Sequence, residues 1–255
     1  MNLTKEEKEL LSKATVIIPA YNEAESLPSL LAEYKDQFPD LPVIVVNDAS
    51  SDNTSDIARN LGAIVLDLPC NLGVGGAVQL GIRYALQAGF EYVIRCDADG
   101  QHPVAGVISL VRTMANKEVD LVIGARELGK NTTGTSTVRR MGIRYLSFLL
   151  SHICKRRITD PTSGYMLMNH LLMNFFSHVY PYEYPEPEAL SLLSRQGYSS
   201  CEATVEFAKR RNGVSTIGSN DALYYALKVS LALIVDRARR IDRDYDRHFL
   251  KERLK

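Results

Sequence analysis

The residues that most directly imply chemistry are Asp97-Ala98-Asp99-Gly100-Gln101-His102-Pro103. They follow an apolar run, Tyr92-Val93-Ile94-Arg95-Cys96, that reads as a buried strand. Two aspartates one residue apart at a strand end deliver hard oxygen ligands to the rim of a sheet. Such a pair suits Mg2+ or Mn2+, which keep other coordination positions for water and substrate phosphates. A polar turn after a strand can carry the same Asp-x-Asp spacing, so that spacing alone does not decide the matter.

Elements elsewhere give the pair a setting. Ala14-Thr15-Val16-Ile17-Ile18-Pro19 is a second apolar run, followed by Ala20-Tyr21-Asn22-Glu23 and a helical pattern from Glu25 to Tyr34. A third run, Pro42-Val43-Ile44-Val45-Val46, ends in Asn47-Asp48-Ala49-Ser50-Ser51-Asp52, and a helix over Thr54 to Asn60 follows. Three apolar strands thus each end in a polar cluster that contains carboxylates. In an open α/β sheet, ligands bind beyond the carboxyl ends of the strands, so the clusters are expected to line one crevice. Gly62 to Asp67 and Val119 to Gly124 read as further strands, and Gly75 to Gln87 and Val104 to Asn116 as helices. Alternation of strand and helix signals a mainly parallel sheet. The glycines at 73, 75 and 76 fit neither Rossmann nor P-loop spacing and read as packing glycines. Gly129 to Thr137 reads as a mobile loop or a solvated connector.

Pro19-Ala20-Tyr21-Asn22-Glu23, Asn47-Asp48-Ala49-Ser50-Ser51-Asp52, Asn71-Leu72-Gly73-Val74-Gly75-Gly76-Ala77 and the Asp97 segment occur in that order. Together they resemble the signature of family 2 inverting glycosyltransferases, and within that family the dolichyl- or polyprenyl-phosphate sugar synthases. Gly124-Ala125-Arg126 and Asp160-Pro161-Thr162-Ser163-Gly164-Tyr165 agree, so the resemblance covers residues 14–217. It implies a GT-A fold: a Rossmann-like, mainly parallel α/β sheet flanked by helices. It also implies transfer of a sugar from a UDP- or GDP-sugar with Mg2+ or Mn2+ held at Asp97 and Asp99. Gln101 either joins the metal and donor contacts or holds the turn. Around the nucleoside the resemblance places Pro19, Tyr21, Glu23, Val46 and Asp48, with Ala98 beside the metal pair. Many relatives carry two aspartates where this chain has Asn47 and Asp48, which leaves position 47 without an assigned role.

For the phosphates, the resemblance points to Arg126 and to Arg211 within Lys209-Arg210-Arg211-Asn212-Gly213-Val214-Ser215. Arg139 and Arg140 are the candidates for an acceptor phosphate. Arginine suits this work because its planar fork binds phosphate oxygens in pairs, although ordinary basic turns look the same in sequence. A lipid phosphate is already an anionic nucleophile. A sugar hydroxyl would need a base, for which Asp160, Glu186 and Glu188 are candidates.

Bulk properties fit one large catalytic domain, 1–217, with a C-terminal amphipathic helical appendage, 218–255. Thirty basic and thirty acidic residues in 255 cancel, which gives no electrostatic case for nucleic acid. Four scattered cysteines form no Cys-x-x-Cys pair and fit a reducing compartment. The N-terminus is too polar for a secretory signal, and no stretch has the length of a membrane span. From Val138 to Ile158, six basic residues flank Met141, Ile143, Leu146, Phe148, Leu149, Leu150 and Ile153 with no acid among them. That helix and the apolar run Ala222 to Val235 are expected to meet a membrane surface, a small membrane-anchoring partner or a second copy of the chain. Packing against the domain's own core is the plainer alternative. The expected location is cytoplasmic, peripheral at the inner face of the membrane. The rival functions are transfer to a hydroxyl of a saccharide or lipid-linked glycan, and an inactive nucleotide-sugar-binding scaffold.

Overall fold

Short runs, mostly apolar, form seven strands among the described residues: β1 (Ala14–Ala20), β2 (Val43–Asn47), β3 (Ile64–Asp67), β4 (Tyr92–Arg95), β5 (Leu121–Arg126), β6 (Met166–Asn169) and β7 (Ser200–Val205). A computed structural model of the chain describes residues 3–126, 137–208 and 221–238; the side chains of 137–139, 221–225 and 236–238 lie outside that description. The strands form one sheet in the order β3-β2-β1-β4-β6-β5-β7. All pairings are parallel except those of β6, which runs antiparallel to both β4 and β5. The carboxyl ends of β1, β2, β4, β5 and β7 therefore share one edge. Met166 at the start of β6 pairs with Arg95 at the end of β4, so the segment entering β6 arrives at that same edge.

The helices are α1 (Lys5–Ser12), α2 (Leu27–Gln37), α3 (Thr54–Asn60), α4 (Gly73–Gln87), α5 (Val107–Lys117), α6 (Thr137–Ile153), α7 (His170–His178), α8 (Pro185–Arg195) and α9 (Asp221–Ala238). The sheet is covered on both faces, which is why its central strands are near-continuous apolar runs. Val16, Ile18 and Val45 face one core layer, with Leu30 of α2 and Leu110 of α5. Ile17, Ile44 and Val46 face the other, with Val78 of α4 and Leu172 of α7. Glycine sets how closely α4 can lie. A Cβ at Gly81 would stand 2.6 Å from Ile17 Cγ2, and one at Gly75 would overlap the Pro181 carbonyl oxygen and stand 2.8 Å from Tyr182 Cα.

The antiparallel β6 is absent from the sequence expectations, and helix α2 starts later than the apolar period indicates. Residues 24–26 form a turn, and Pro28 sits in the first helical turn, where its missing N–H costs nothing. Helix α9 packs on α6 and α8. Ala226, Val229 and Leu233 join the same core layer as Leu146 and Leu150, and Ser230 Oγ donates to Tyr145 Oη at 3.0 Å. The outer faces of these two helices stay apolar: Met141, Phe148, Leu227, Leu231 and Ile234 are each more than 59% exposed. Among the described residues, no helix is long and apolar enough to cross a membrane.

Candidate active site

The loops after β1 and β2 are fastened to each other. The Asn22 N–H donates to Ser50 Oγ (2.9 Å), and the Ser51 N–H donates to Asn22 Oδ1 (2.8 Å). The Glu23 N–H donates to Thr54 Oγ1 (2.9 Å) and the Ala24 N–H to Asp52 Oδ2 (3.2 Å). Both loops turn through left-handed backbone, at Asn22 (φ 55°) and Ala49 (φ 57°). Asparagine tolerates that region; for alanine it is strain that the surrounding bonds must hold. On this frame Tyr21 presents an exposed ring and Glu23 a half-buried carboxylate, which accepts from the Ser26 hydroxyl. Pro19 is partly exposed, whereas the Val46 side chain lies wholly in the core. Asp48 is buried and accepts from the Leu72 N–H at 2.7 Å, which ties the entry of α4 to the end of β2. Position 47 is structural. The Asn47 amide donates to Asp67 Oδ1 (2.8 Å) and accepts from the Ser50 N–H (3.1 Å).

Beyond β4 the two aspartates differ. Asp97 is held from both sides, with Oδ1 3.4 Å from Arg95 Nη2 and Oδ2 3.7 Å from His102 Nε2. Its side chain keeps 36% of its surface exposed. Burial pulls the Asp97 carboxyl upward, but His102 and the Arg95 guanidinium hold it below the ordinary carboxylate value. Its own N–H donates to His102 Nδ1 at 2.9 Å, so a neutral imidazole carries its proton on Nε2, facing the carboxylate. Burial lowers the His102 pKa against the upward pull of Asp97 and Asp99; the ring stacks on Tyr165 at 4.9 Å and meets Phe207 edge-on at 5.2 Å. Asp99 is 9% exposed, and its two oxygens accept from the Gln101 N–H (2.9 Å) and Nε2 (3.0 Å). Gln101 thus holds this turn. Ala98 between the aspartates is buried.

Arg126, the last residue of β5, places Nε 3.2 Å from Asp160 Oδ2 and its guanidinium carbon 4.9 Å above the Phe207 ring. Asp160 sits on the segment entering β6, held there by Glu202 of β7. That carboxylate accepts from the Thr159 N–H (2.7 Å), the Thr159 hydroxyl (2.8 Å) and the Asp160 N–H (3.2 Å). Further along the segment, a Cβ at Gly164 would stand 2.9 Å from both Asp97 oxygens. Only glycine lets the backbone lie that close to the carboxylate. Glu186, in the first turn of α8, comes to the same place: its Oε1 is 2.6 Å from Arg95 Nη2.

The structure therefore brings Tyr21, Glu23, Asp48, Asp97, Asp99, Gln101, Arg126, Asp160 and Glu186 to one edge of the sheet. Glu188 follows in the first turn of α8. Arg140 is exposed on α6, and neither the Arg139 side chain nor Arg211 falls among the described residues. Sequence reasoning missed Arg95, Glu202 and the stack of His102 on Tyr165. Arg95 carried a signal, because an arginine inside an apolar run must find a counter-charge when buried. The other two depend on contacts across more than forty residues.

A divalent cation fits this edge. Asp97 and Asp99 supply hard oxygens one residue apart, and Asp97 is open on one side. Among the described residues no three His, Cys, Asp or Glu side chains converge as a ligand set, so water and donor phosphates would complete the coordination.

The sequence profile of glycosyl transferase family 2 matches residues 15–174. The chain belongs to this family. Among its relatives, an undecaprenyl-phosphate mannosyltransferase of Micrococcus luteus is 36% identical over 160 residues, 60% of this chain and 65% of that protein. An uncharacterized protein of Methanocaldococcus jannaschii is also 36% identical, over 58% of this chain and 61% of its own. The matched regions thus span less than two thirds of these two relatives. A polyprenol monophosphomannose synthase of Mycolicibacterium smegmatis is 28% identical over 91% of this chain and 92% of that one. In structure, this family 2 member is similar to a glucosyl-3-phosphoglycerate synthase of Mycobacterium tuberculosis crystallised with Mn2+, uridine diphosphate and phosphoglyceric acid. The TM-score is 0.68 at 19% identity, covering 95% of this chain and 86% of the other. That likeness establishes the GT-A type of α/β fold.

Proposed function

We propose that this chain transfers a sugar from a nucleoside diphosphate sugar to a polyprenyl phosphate, working at the cytoplasmic face of a membrane. The convergence of Asp48, Asp97, Asp99 and Arg126 on one sheet edge carries the donor half of that reading. In this reading Asp48 accepts from a base N–H, with Tyr21 and Glu23 flanking the nucleoside. Asp97 and Asp99 would hold Mg2+ or Mn2+, which when bound supplies positive charge to the departing diphosphate. Arg126 adds a fixed cation, its orientation set by Asp160 on one side and Phe207 on the other.

The acceptor half is supported by where two of the three candidate bases, Asp160 and Glu186, stand. Asp160 is paired with Arg126 and Glu186 with Arg95. A hydroxyl acceptor needs a carboxylate available to take its proton, whereas a phosphate arrives as an anion. The names of the relatives from Micrococcus luteus and Mycolicibacterium smegmatis point the same way. The exposed apolar faces of α6 and α9, bordered by exposed Arg140, Arg144, Lys155 and Arg157, suit the surface of an anionic bilayer. The deciding assay offers labelled UDP- and GDP-sugars, with Mg2+ or Mn2+, to a short-chain polyprenyl phosphate in detergent. A lipid-linked sugar supports the reading. Donor hydrolysis with no lipid product refutes the acceptor half and redirects attention to a hydroxyl. No turnover with any donor favours a binding scaffold.

A further inference from the structure

Arg95 is the most deeply buried cation in the described part of this edge, with 1% of its side chain exposed. Guanidinium does not lose its proton in proteins, so the charge must be met where it stands. Two carboxylates face it. Glu186 Oε1 lies 2.6 Å from Nη2, and Asp97 Oδ1 lies 3.4 Å from the same nitrogen. The Tyr180 hydroxyl, 3.3 Å from Nη1, meets the other arm of the fork. Glu186 thus has the closer hold on a nitrogen that Asp97 shares at longer range.

We propose that Glu186 is a positioning residue: the counter-ion that keeps the contact of Arg95 with Asp97 long and so leaves Asp97 available to the divalent cation. This rests on the assignment of Asp97 and Asp99 as the cation site. The charges support it. Among these four neighbouring groups, Arg95 against Asp97, Asp99 and Glu186 leaves two negative charges, which a divalent ion would neutralise. The guanidinium already touches Asp97 loosely at 3.4 Å; without Glu186 a shift of about half an ångström would make that a close charge-assisted pair. A carboxylate committed to arginine is a poorer ligand, and the buried positive charge would repel the ion directly. The fold keeps Glu186 in place from a distance in sequence. Pro185 and Pro187 flank it in the first turn of α8, where a negative side chain is also favoured by the helix dipole.

The test is Mn2+ affinity, measured on the full chain by electron paramagnetic resonance with UDP or GDP present. Glu186→Gln is expected to weaken Mn2+ by on the order of tenfold, because it removes one charge and frees the arginine. Adding Arg95→Gln to it is expected to bring affinity back to within about threefold of the parent, since the competing cation is gone. Arg95→Met in the same background is the second double variant should the first not fold, and melting curves establish which are folded. Arg95→Lys with Glu186→Gln keeps the competing charge and should stay weak. Wild-type Mn2+ affinity in Glu186→Gln, or a neutral double variant as weak as the single one, overturns the proposal. Asp99→Ala separates the two levels. If Asp99→Ala loses Mn2+ while Glu186→Gln does not, the counter-ion role fails alone. If Asp99→Ala keeps Mn2+, the cation assignment itself fails, and this inference with it.

Discussion

Replacing Gly164 by alanine sets a methyl group against the centre of the proposed cation site. The new Cβ would stand 2.9 Å from each Asp97 oxygen and 3.0 Å from Arg95 Nη2. Comfortable contacts of this kind begin near roughly 3.5 Å, so about half an ångström must be found on each side. The Asp97 tip, 36% exposed, can yield, but only by moving relative to Arg95 at Oδ1 and His102 at Oδ2. Overpacking of a tight site costs about 1–3 kcal/mol. Part of that is relieved here by moving the tip of a partly exposed side chain, so the loss should sit near the lower end. For a chain of this size that is a fall in Tm of about 2–4 °C. Ligand geometry is less forgiving, since a binding constellation tolerates displacements of only about 0.5 Å. The expected result is a small shift in thermal unfolding, followed by far-ultraviolet circular dichroism, together with a loss of about tenfold or more in Mn2+ affinity. A variant with parental Mn2+ affinity and parental turnover would refute the placement of Asp97 in the cation site. A variant that loses Mn2+ only because it is unfolded at assay temperature would show a collapsed melting curve instead.

Gly75→Ala should act on stability, because its Cβ overlaps the Pro181 carbonyl and the Tyr182 backbone, neither of which is a movable side-chain tip. A loss of about 2–3 kcal/mol by urea titration is expected. His102 gives the pH dependence: burial holds its folded pKa below the ordinary 6.5, so the unfolded chain takes up a proton that the buried ring refuses. Its contribution is complete above 6.5 and is lost as the pH falls below that, and His102→Gln should flatten this limb of the stability curve. Phe148→Asp together with Leu231→Asp should reduce sedimentation with vesicles rich in anionic lipid and leave Tm within about 2 °C, since both side chains are exposed.

The donor half of the edge was legible because each of its strands is a local signal. Val16 to Ile18, Ile44 to Val46 and Val93 to Ile94 are buried apolar runs, and each is followed at once by its polar cluster. The other half was not. Strand β6 has only four residues, and nothing in Met166 to Asn169 marks it as running against its neighbours. Gln101 read first as a metal or donor ligand and nearly as well as a turn residue, and its bonds to Asp99 show it holding the turn. Asp160 and Glu186 could be named as candidate bases from type alone. Their arginine partners come from β5 and β4, at separations of 34 and 91 residues, which no local pattern encodes. Arg95 shows the limit most clearly. Its neighbours marked a strand correctly and hid the one residue in it with chemistry.

The mutual fastening of the loops after β1 and β2 bears on the thermodynamics of ligand capture. A wall built from loose loops must be ordered by its guest, and that ordering subtracts from affinity. Here the backbone N–H groups of Asn22, Glu23 and Ala24 are already satisfied from the neighbouring loop. In the proposed donor site, a nucleotide entering between Tyr21 and Asp48 would therefore meet a surface whose backbone conformation is set beforehand. Calorimetry of nucleotide binding should then show little entropic penalty from these two loops, so that selectivity between bases reflects contact and fit instead of folding.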